Sequence, residues 1–366
     1  MKIVAILNSI HEFKSGCFYT RIHVPFMELR SRGHQLSYAI LGQMNEEEAL
    51  RENDIIVFMR IYTQDPFKLL YKTKARGKKV IYEIDDDIWT LPPVNPAQGT
   101  FKQPIVRKMV EGLLEEADLV TTTTPYLKNI LSKFNKNVWV CSNSVSFDVF
   151  KEREWKKDKL RIGWSGSITH YDDLLLILDV IHDLQDKYDF DFLIQGICSQ
   201  PLLSEIYSYG FFKKQKWLPE LDEFFNKGLK VYEKFKNLKN FKHIPFYVPE
   251  LYPRILREMD LDIGLCPLID NKFNRAKSCI KFYEYCGVGT ATLASNVLPY
   301  NKEVNYLANN TYSDWYKKLE KLIIDEKFRN KILDEQRKYV SQNRDIKVVG
   351  NIFEKAYLSL LKNERN

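Results

Sequence analysis

Residues 55–84 read IIVFMRIYTQDPFKLLYKTKARGKKVIYEI. Ile55–Met59 is an unbroken apolar run of strand length. Pro66–Arg76 suits a helix with proline in its first turn and Gly77 just past its end, and Val80–Ile84 is a second apolar run. Strands that are apolar on every residue are covered on both faces, as in parallel sheets. A strand, a helix and a strand in succession form the unit from which such sheets are built.

The same rhythm extends in both directions. Upstream lie Ile3–Leu7, a helix end at Pro25–Arg32 stopped by Gly33, and Leu36–Leu41. Downstream, after a loop with Pro92, Pro93 and Pro96, come helix Ile105–Glu116, strand Leu119–Thr123, helix Tyr126–Phe134 and strand Val138–Cys141. Residues 148–159 are polar and charged, as a linker is. The pattern then restarts with strand Arg161–Trp164, helix Asp173–Lys187, and strands Phe190–Gln195 and Phe241–Ile244. Helix Pro249–Met259, strand Ile263–Leu265, helix Ser278–Cys286 and strand Ala291–Ala294 follow, and helical segments near 313–324, 327–341 and 346–362 end the chain. The expectation is an α/β protein of two Rossmann-like domains facing across a cleft, with C-terminal helices. Residues 1–147 and 161–340 are the two domains, 148–160 links them, and a helix in 341–366 returns to the first.

Composition bounds the function. The 366 residues are 45% hydrophobic and 28% charged, which excludes a disordered or low-complexity chain. No apolar run reaches the ~18 residues of a membrane span. Ile3–Leu7 is too short for a signal-peptide core and no small-residue cleavage site follows it. The cysteines at 17, 141, 198, 266, 279 and 286 lie far apart, with no Cys-x-x-Cys pair. A reduced, cytoplasmic chain without a structural metal is expected. The net charge of +7 divides into +3 for residues 1–147 and +4 for the rest, so no basic patch of a nucleic-acid binder stands out.

Open α/β sheets bind ligands at the carboxyl ends of their strands, and four polar clusters follow strands here. Gly163-Trp-Ser-Gly-Ser-Ile-Thr-His170 offers close backbone approach at Gly166 and hydroxyl donors at Ser165, Ser167 and Thr169 to a phosphate. A glycine turn with an ordinary cap would use the same residues, and the spacing matches neither a dinucleotide fingerprint nor a P-loop. Pro267 through Tyr285 is richer. Ser278 is a plausible N-cap with Lys277 just outside the helix, while Lys281 and Glu284 lie one and two turns inside it. A diphosphate there would meet free N–H groups and ammonium charges, with Glu284 accepting from ribose hydroxyls. A solvated Lys–Glu pair is the bland reading. Asp85-Asp86-Asp87 invites a metal, yet successive side chains on an extended backbone diverge; Asp86 is the one assigned to face the cleft. The loop Asn8–Arg21 supplies Gly16 and the charge of Arg21. His23, His170 and His243 are read as satisfied histidines.

The segment Asp262-Ile-Gly-Leu-Cys-Pro-Leu through Lys277-Ser-Cys-Ile-Lys281-Phe-Tyr-Glu284 and on to Ser295 resembles the donor-binding region of family 4 glycosyltransferases. These are retaining GT-B enzymes of the type found in bacterial surface-polysaccharide clusters. Tyr82 through Trp89, Asn143-Ser-Val with Phe150, Ile162 through Ser167 and the tail from Trp315 to Leu361 agree with the likeness. The resemblance implies transfer of a sugar from a nucleotide-diphosphate sugar, without a cofactor or metal, to a glycan or polyprenyl-linked acceptor. It implies catalytic roles for Lys277, Asp86 and Arg21. Donor contacts are implied for Gly16, Gly166, Ser167, Tyr247, Lys277, Ser278, Lys281 and Glu284, with the base near Phe246-Tyr-Val-Pro249. Glu284 matches the second of the family's two glutamates. The first falls on Ala276, and the family's Arg and Lys after the first strand of the second domain are missing; Lys277 and Lys281 substitute for their charge. Ala276 also motivates a non-catalytic nucleotide-sugar-binding subunit as an alternative, and a GT-B-fold sugar epimerase is another.

Residues 213–242 hold nine lysines against four acids and six aromatics. Leu221, Phe224, Phe225, Tyr232 and Phe235 approximate a helical stripe interrupted by Gly228. Such a segment either packs into the core or lies on an anionic membrane, which would make the protein peripheral at the inner face of the plasma membrane.

Overall fold

The computed structural model describes residues 1–62, 66–93, 95, 97–154, 159–197 and 219–361. Strands β1 (Lys2–Leu7), β2 (Gln35–Ile40), β3 (Ile55–Met59), β4 (Lys79–Glu83), β5 (Leu119–Thr122) and β6 (Val138–Val140) form one sheet in the order β2-β1-β3-β4-β5-β6. Strands β7 (Leu160–Ser165), β8 (Phe190–Gln195), β9 (Phe241–Ile244), β10 (Ile263–Cys266), β11 (Ala291–Ser295) and β12 (Leu307–Ala308) form a second, ordered β12-β11-β10-β7-β8-β9. Every pairing in both sheets is parallel.

Helices α1 (Val24–Ser31), α2 (Glu46–Glu52), α3 (Pro66–Ala75), α4 (Pro104–Glu116) and α5 (Pro125–Leu131) belong to the first sheet. Helices α6 (Leu178–Lys187), α7 (Pro219–Lys236), α8 (Tyr252–Met259), α9 (Ile280–Gly287), α10 (Tyr312–Ile324) and α11 (Glu326–Asn343) accompany the second. Helix α12 (Ile346–Leu361) comes back to lie against α1. Among the described residues no helix is long and apolar enough to cross a membrane.

The period of two along a strand explains the layering. Val4, Ile6, Ile56 and Phe58 enter one apolar cluster with Leu70 and Leu113, while Ile3, Ala5, Leu7, Val57 and Met59 enter another with Phe26 of α1 and Phe353 and Tyr357 of α12. Both faces of the sheet are therefore covered, as its unbroken apolar strands require.

Several expected elements change shape. Asn8–Arg21 is not a loop: 3-10 turn Ile10–Lys14, helical turn Gly16–Phe18 and π-turn Tyr19–His23 run straight into α1. Ser15 starts it, its hydroxyl accepting from Phe18 N at 3.1 Å. Asp173–Lys187 is not one helix. Leu176 and Ile177 bond back only three residues, to Asp173 and Leu174, and this tightening separates the short turn Tyr171–Leu175 from α6. Ser278 is not an N-cap. A turn of helix, Lys272–Ala276, comes first, capped by Asn271 (2.8 Å from Asn274 N), and α9 starts after Cys279. The stretch after Phe147 is more than a solvated linker: Phe150 is buried, and Arg153, 3% exposed, is fixed by Gly289 O at 3.2 Å and Asp262 at 2.8 Å.

The basic insert falls partly outside the described residues, which omit 213–218 and the side chains of 219–225. In the part described, Val231 and Phe235 are buried in the core of the second sheet and Leu229 and Tyr232 pack against it. Gly228 is a packing site: a Cβ there would fall 2.2 Å from the Tyr171 hydroxyl.

Candidate active site

In each sheet the chain reverses its direction of winding once, between β1 and β3 and between β10 and β7. Crevices open outside the carboxyl ends of the strands at such points. The two sheets place these ends around a shared cavity of about 480 Å³. Gly16, Cys17 and Tyr19 line it from the segment after β1, and Asp85 and Asp86 from that after β4. Gly166, Ser167 and His170 line it after β7, Phe246 and Tyr247 after β9, and Lys277, Ser278, Lys281 and Glu284 around the start of α9.

Most residues singled out in the sequence thus meet in one place. Arg21 does not. It is 1% exposed and turned into the first domain, where Nε and Nη2 reach Glu83 at 2.8 and 3.1 Å and Nη1 reaches Cys141 O at 2.6 Å and Asn143 Oδ1 at 2.9 Å. Glu83 is itself buried at the end of a strand whose last four residues are buried, and it needs a countercharge, so Arg21 points inward instead of into the cleft. Asn143 continues the chain of bonds across the interface by donating to Ser278 Oγ at 2.8 Å.

The acidic triplet separates into three roles. Asp87 accepts from Trp89 N (3.1 Å) and Thr90 Oγ1 (2.6 Å), closing a turn. Asp85 pairs with Arg60 at 3.2 Å; burial alone would raise its carboxyl, but Arg60 holds it below the usual range. Asp86 lines the cavity, its carboxyl raised by burial and by Asp85, with Lys277 and Arg60 opposing. The three do not converge on one point, so they form no metal set. Arg60, which no sequence motif marks, sits in the left-handed backbone region at φ 44°. That is a costly conformation for an arginine, and it occurs just past the end of β3, where the side chain pairs with Asp85.

On the other side, α9 builds the cationic wall. Lys277 lies 4.7 Å from the Phe273 ring centroid. Lys281 has its ammonium 5.6 Å from the Trp164 ring centroid and 3.1 Å from His170 Nε2. Gly166 is a true requirement: a Cβ there would fall 2.6 Å from both Lys281 Cε and Trp164 Cζ2. Burial and the neighbouring Lys277 bring Lys281 down to about 8.

Glu284, a turn further along, is held by the Tyr252 hydroxyl, which donates to Oε2 at 3.1 Å. Ser165 Oγ lies 2.9 Å from that hydroxyl and 2.8 Å from Gln195 Oε1. Burial pushes the Glu284 carboxyl up to about 7, against the opposing pull of Tyr252 and Lys281. Tyr252 and Gln195 have no local sequence signal; their roles exist only once α8 and β8 meet α9. His170, read from sequence as a satisfied histidine, has Asp173 at one ring nitrogen and the cavity residue Lys281 at the other. Position 276 is not in the cavity. Ala276 is 1% exposed, joins the apolar cluster of the first domain, and its carbonyl accepts from Thr124 Oγ1 at 3.1 Å.

The arrangement defines the class of fold. A glycosyltransferase from Rickettsia africae superposes with a TM-score of 0.67 at 14% identity, covering 99% of each chain. Anabaena HepE, solved with UDP and glucose, gives 0.65 at 12% identity over 98% of this chain and 100% of that one. An alpha-glucosyltransferase solved with UDP gives 0.64 at 11% identity over 98% and 99%. No protein-family model matches the chain, and no curated protein matches it in sequence. The architecture is the two-domain GT-B fold of these glycosyltransferases.

Proposed function

We propose that this chain is a glycosyltransferase that moves a sugar from a nucleotide-diphosphate sugar to a glycan or lipid-linked acceptor. One observation carries the reading. Lys277, Lys281 and the start of α9 converge on a cavity wall at the carboxyl ends of the second sheet, with Glu284 one turn deeper. Two ammonium groups and helix-start N–H groups suit a diphosphate, and a buried carboxylate suits two vicinal ribose hydroxyls. The UDP held by GT-B neighbours supports the same assignment.

The family 4 likeness of this segment supports retention of configuration. In that mechanism the acceptor hydroxyl oxygen bonds to the anomeric carbon as the bond to the diphosphate oxygen breaks. The hydroxyl proton passes to the departing diphosphate. The residues then need only position both partners and stabilise the leaving charge, with Asp86 holding the acceptor hydroxyl. A role in surface-polysaccharide synthesis and contact with an anionic membrane through the basic insert belong to this proposal. Flotation with anionic but not neutral liposomes tests the membrane part.

A thermal-shift screen against UDP, GDP, TDP and CMP sugars tests the donor reading, since a bound donor stabilises the fold by mass action. One donor class is expected to raise Tm, and Lys277→Ala and Glu284→Ala to abolish the rise. Product NMR with an acceptor then reads the anomeric configuration. Binding without turnover would instead support the non-catalytic subunit, and conversion of the sugar without acceptor the epimerase.

A further inference from the structure

We infer that His170, locked by Asp173, is a positioning residue that holds the Lys281 ammonium where the donor diphosphate binds; the inference rests on the donor-binding reading above.

The bonds form a directed chain. Ile269 N donates to Asp173 Oδ1 at 2.7 Å, Asp173 Oδ2 lies 2.6 Å from His170 Nδ1, and His170 Nε2 lies 3.1 Å from Lys281 Nζ. An ionised carboxylate only accepts, so the imidazole proton sits on Nδ1 and Nε2 presents its lone pair to the ammonium. Lysine has three donors; one is spent on His170 and two remain for phosphate oxygens. His170 and Asp173 are 7% and 5% exposed, so water does not compete for these bonds. The lysine stem is confined as well, between the Trp164 ring and the bare backbone of Gly166. Freezing a lysine is ordinarily a cost of binding, and here it is met in advance.

The charges around Lys281 give the device a pH signature. His170 faces it from the turn after β7, Asp173 from the turn Tyr171–Leu175, and Lys277 from the segment before α9. Cys266 faces it from the end of β10 and Glu284 from its own helix. Burial, with Lys281 and Lys277, keeps His170 neutral down to about pH 3. Lys281 itself titrates at about 8, so above that pH a diphosphate must bind together with a proton. Affinity then falls by about tenfold per pH unit. The phosphate's own last ionisation, near pH ~6, and the Glu284 carboxyl, pushed up to about 7, both lie on the acid side of the Lys281 midpoint, and Glu284 is common to wild type and variants. A lone pair at Nε2 favours the charged lysine, so removing it lets the ammonium titrate about one unit lower.

Isothermal titration with UDP from pH 6.5 to 9.5, in two buffers of different ionisation heat, measures both affinity and proton uptake. The wild-type protein is expected to take up a proton with a midpoint near 8. His170→Ala is expected to move the midpoint about one unit to acid and weaken binding above pH 7 by about tenfold. His170→Gln, whose carbonyl can accept the same bond, is expected to restore both. Asp173→Asn turns an N–H toward Nδ1, drives the imidazole proton to Nε2 and is expected to reproduce the acid shift without removing the ring. It carries the test if His170→Ala does not fold. Midpoints unmoved in both His170→Ala and Asp173→Asn, or no proton uptake by the wild type, would overturn the inference alone. A wild-type protein that binds none of UDP, GDP, ADP and TDP would overturn the donor-binding reading beneath it.

Discussion

Arg21 and Lys281 carry the same charge and do opposite work. Arg21 neutralises Glu83 inside the first domain, with the Phe353 ring centroid 5.4 Å from its guanidinium carbon. Removing it leaves a buried carboxylate unpaired, so Arg21→Met is expected to lower unfolding free energy by about 3–5 kcal/mol in urea titrations. Lys281 is crowded by Lys277 and drawn out of water, and its ammonium is strained by design. Lys281→Met is expected to leave Tm unchanged or raise it while UDP binding weakens by at least tenfold, the exchange of stability for function that active sites show. His170 adds an acid-side signature. Its folded-state value, about 3, lies below the ordinary 6.5, so its contribution is complete above pH 6.5 and is lost as pH falls from there toward 3. Between pH 7.0 and 5.5 the unfolding free energy from urea titrations is expected to fall further for wild type than for His170→Gln, by about 1–2 kcal/mol.

At the scale of elements, strands Ile55–Met59, Phe190–Gln195 and Phe241–Ile244 are legible to the residue, most plainly Ile55–Met59, where a strand buried along its whole length is apolar at every position. Helix starts are less legible. Ser278 has the right chemistry for a cap, yet Asn143, 135 residues away, takes its hydroxyl. α2 escapes notice although Asn45 caps it, accepting from Glu48 N at 3.3 Å, because Glu46–Glu52 has Leu50 as its one buried anchor. Gly228 reads as a break in the stripe of α7 and is in fact its closest approach to Tyr171. Gly228→Ala is expected to cost about 1–3 kcal/mol in thermal or urea unfolding as the helix is pushed off.

For the molecule as a whole, the two-sheet plan and the cationic wall follow from the sequence, while the partners across the cleft do not. Lys277, Lys281 and Glu284 are local to one helix start and stand out there. His170 meets Lys281 over 111 residues and Thr124 meets Ala276 over 152, distances that no local pattern encodes. Ala276 illustrates the consequence. The resemblance puts a sugar-contacting glutamate at this position, whereas Ala276 packs into the apolar cluster of the other domain. Ala276→Glu is therefore expected to lower Tm and weaken donor binding, because its carboxylate would be forced into the apolar cluster of the first domain. A gain in transfer rate by that variant would show that the position reaches the sugar after all.

The most direct test of the central claim is a crystal structure with a bound nucleoside diphosphate. The diphosphate is expected against Lys277 and Lys281 at the start of α9, with an oxygen within hydrogen-bond reach of Lys281 Nζ and the ribose hydroxyls on Glu284. A diphosphate lodged elsewhere, with Lys281 still bonded to His170 alone, would contradict it.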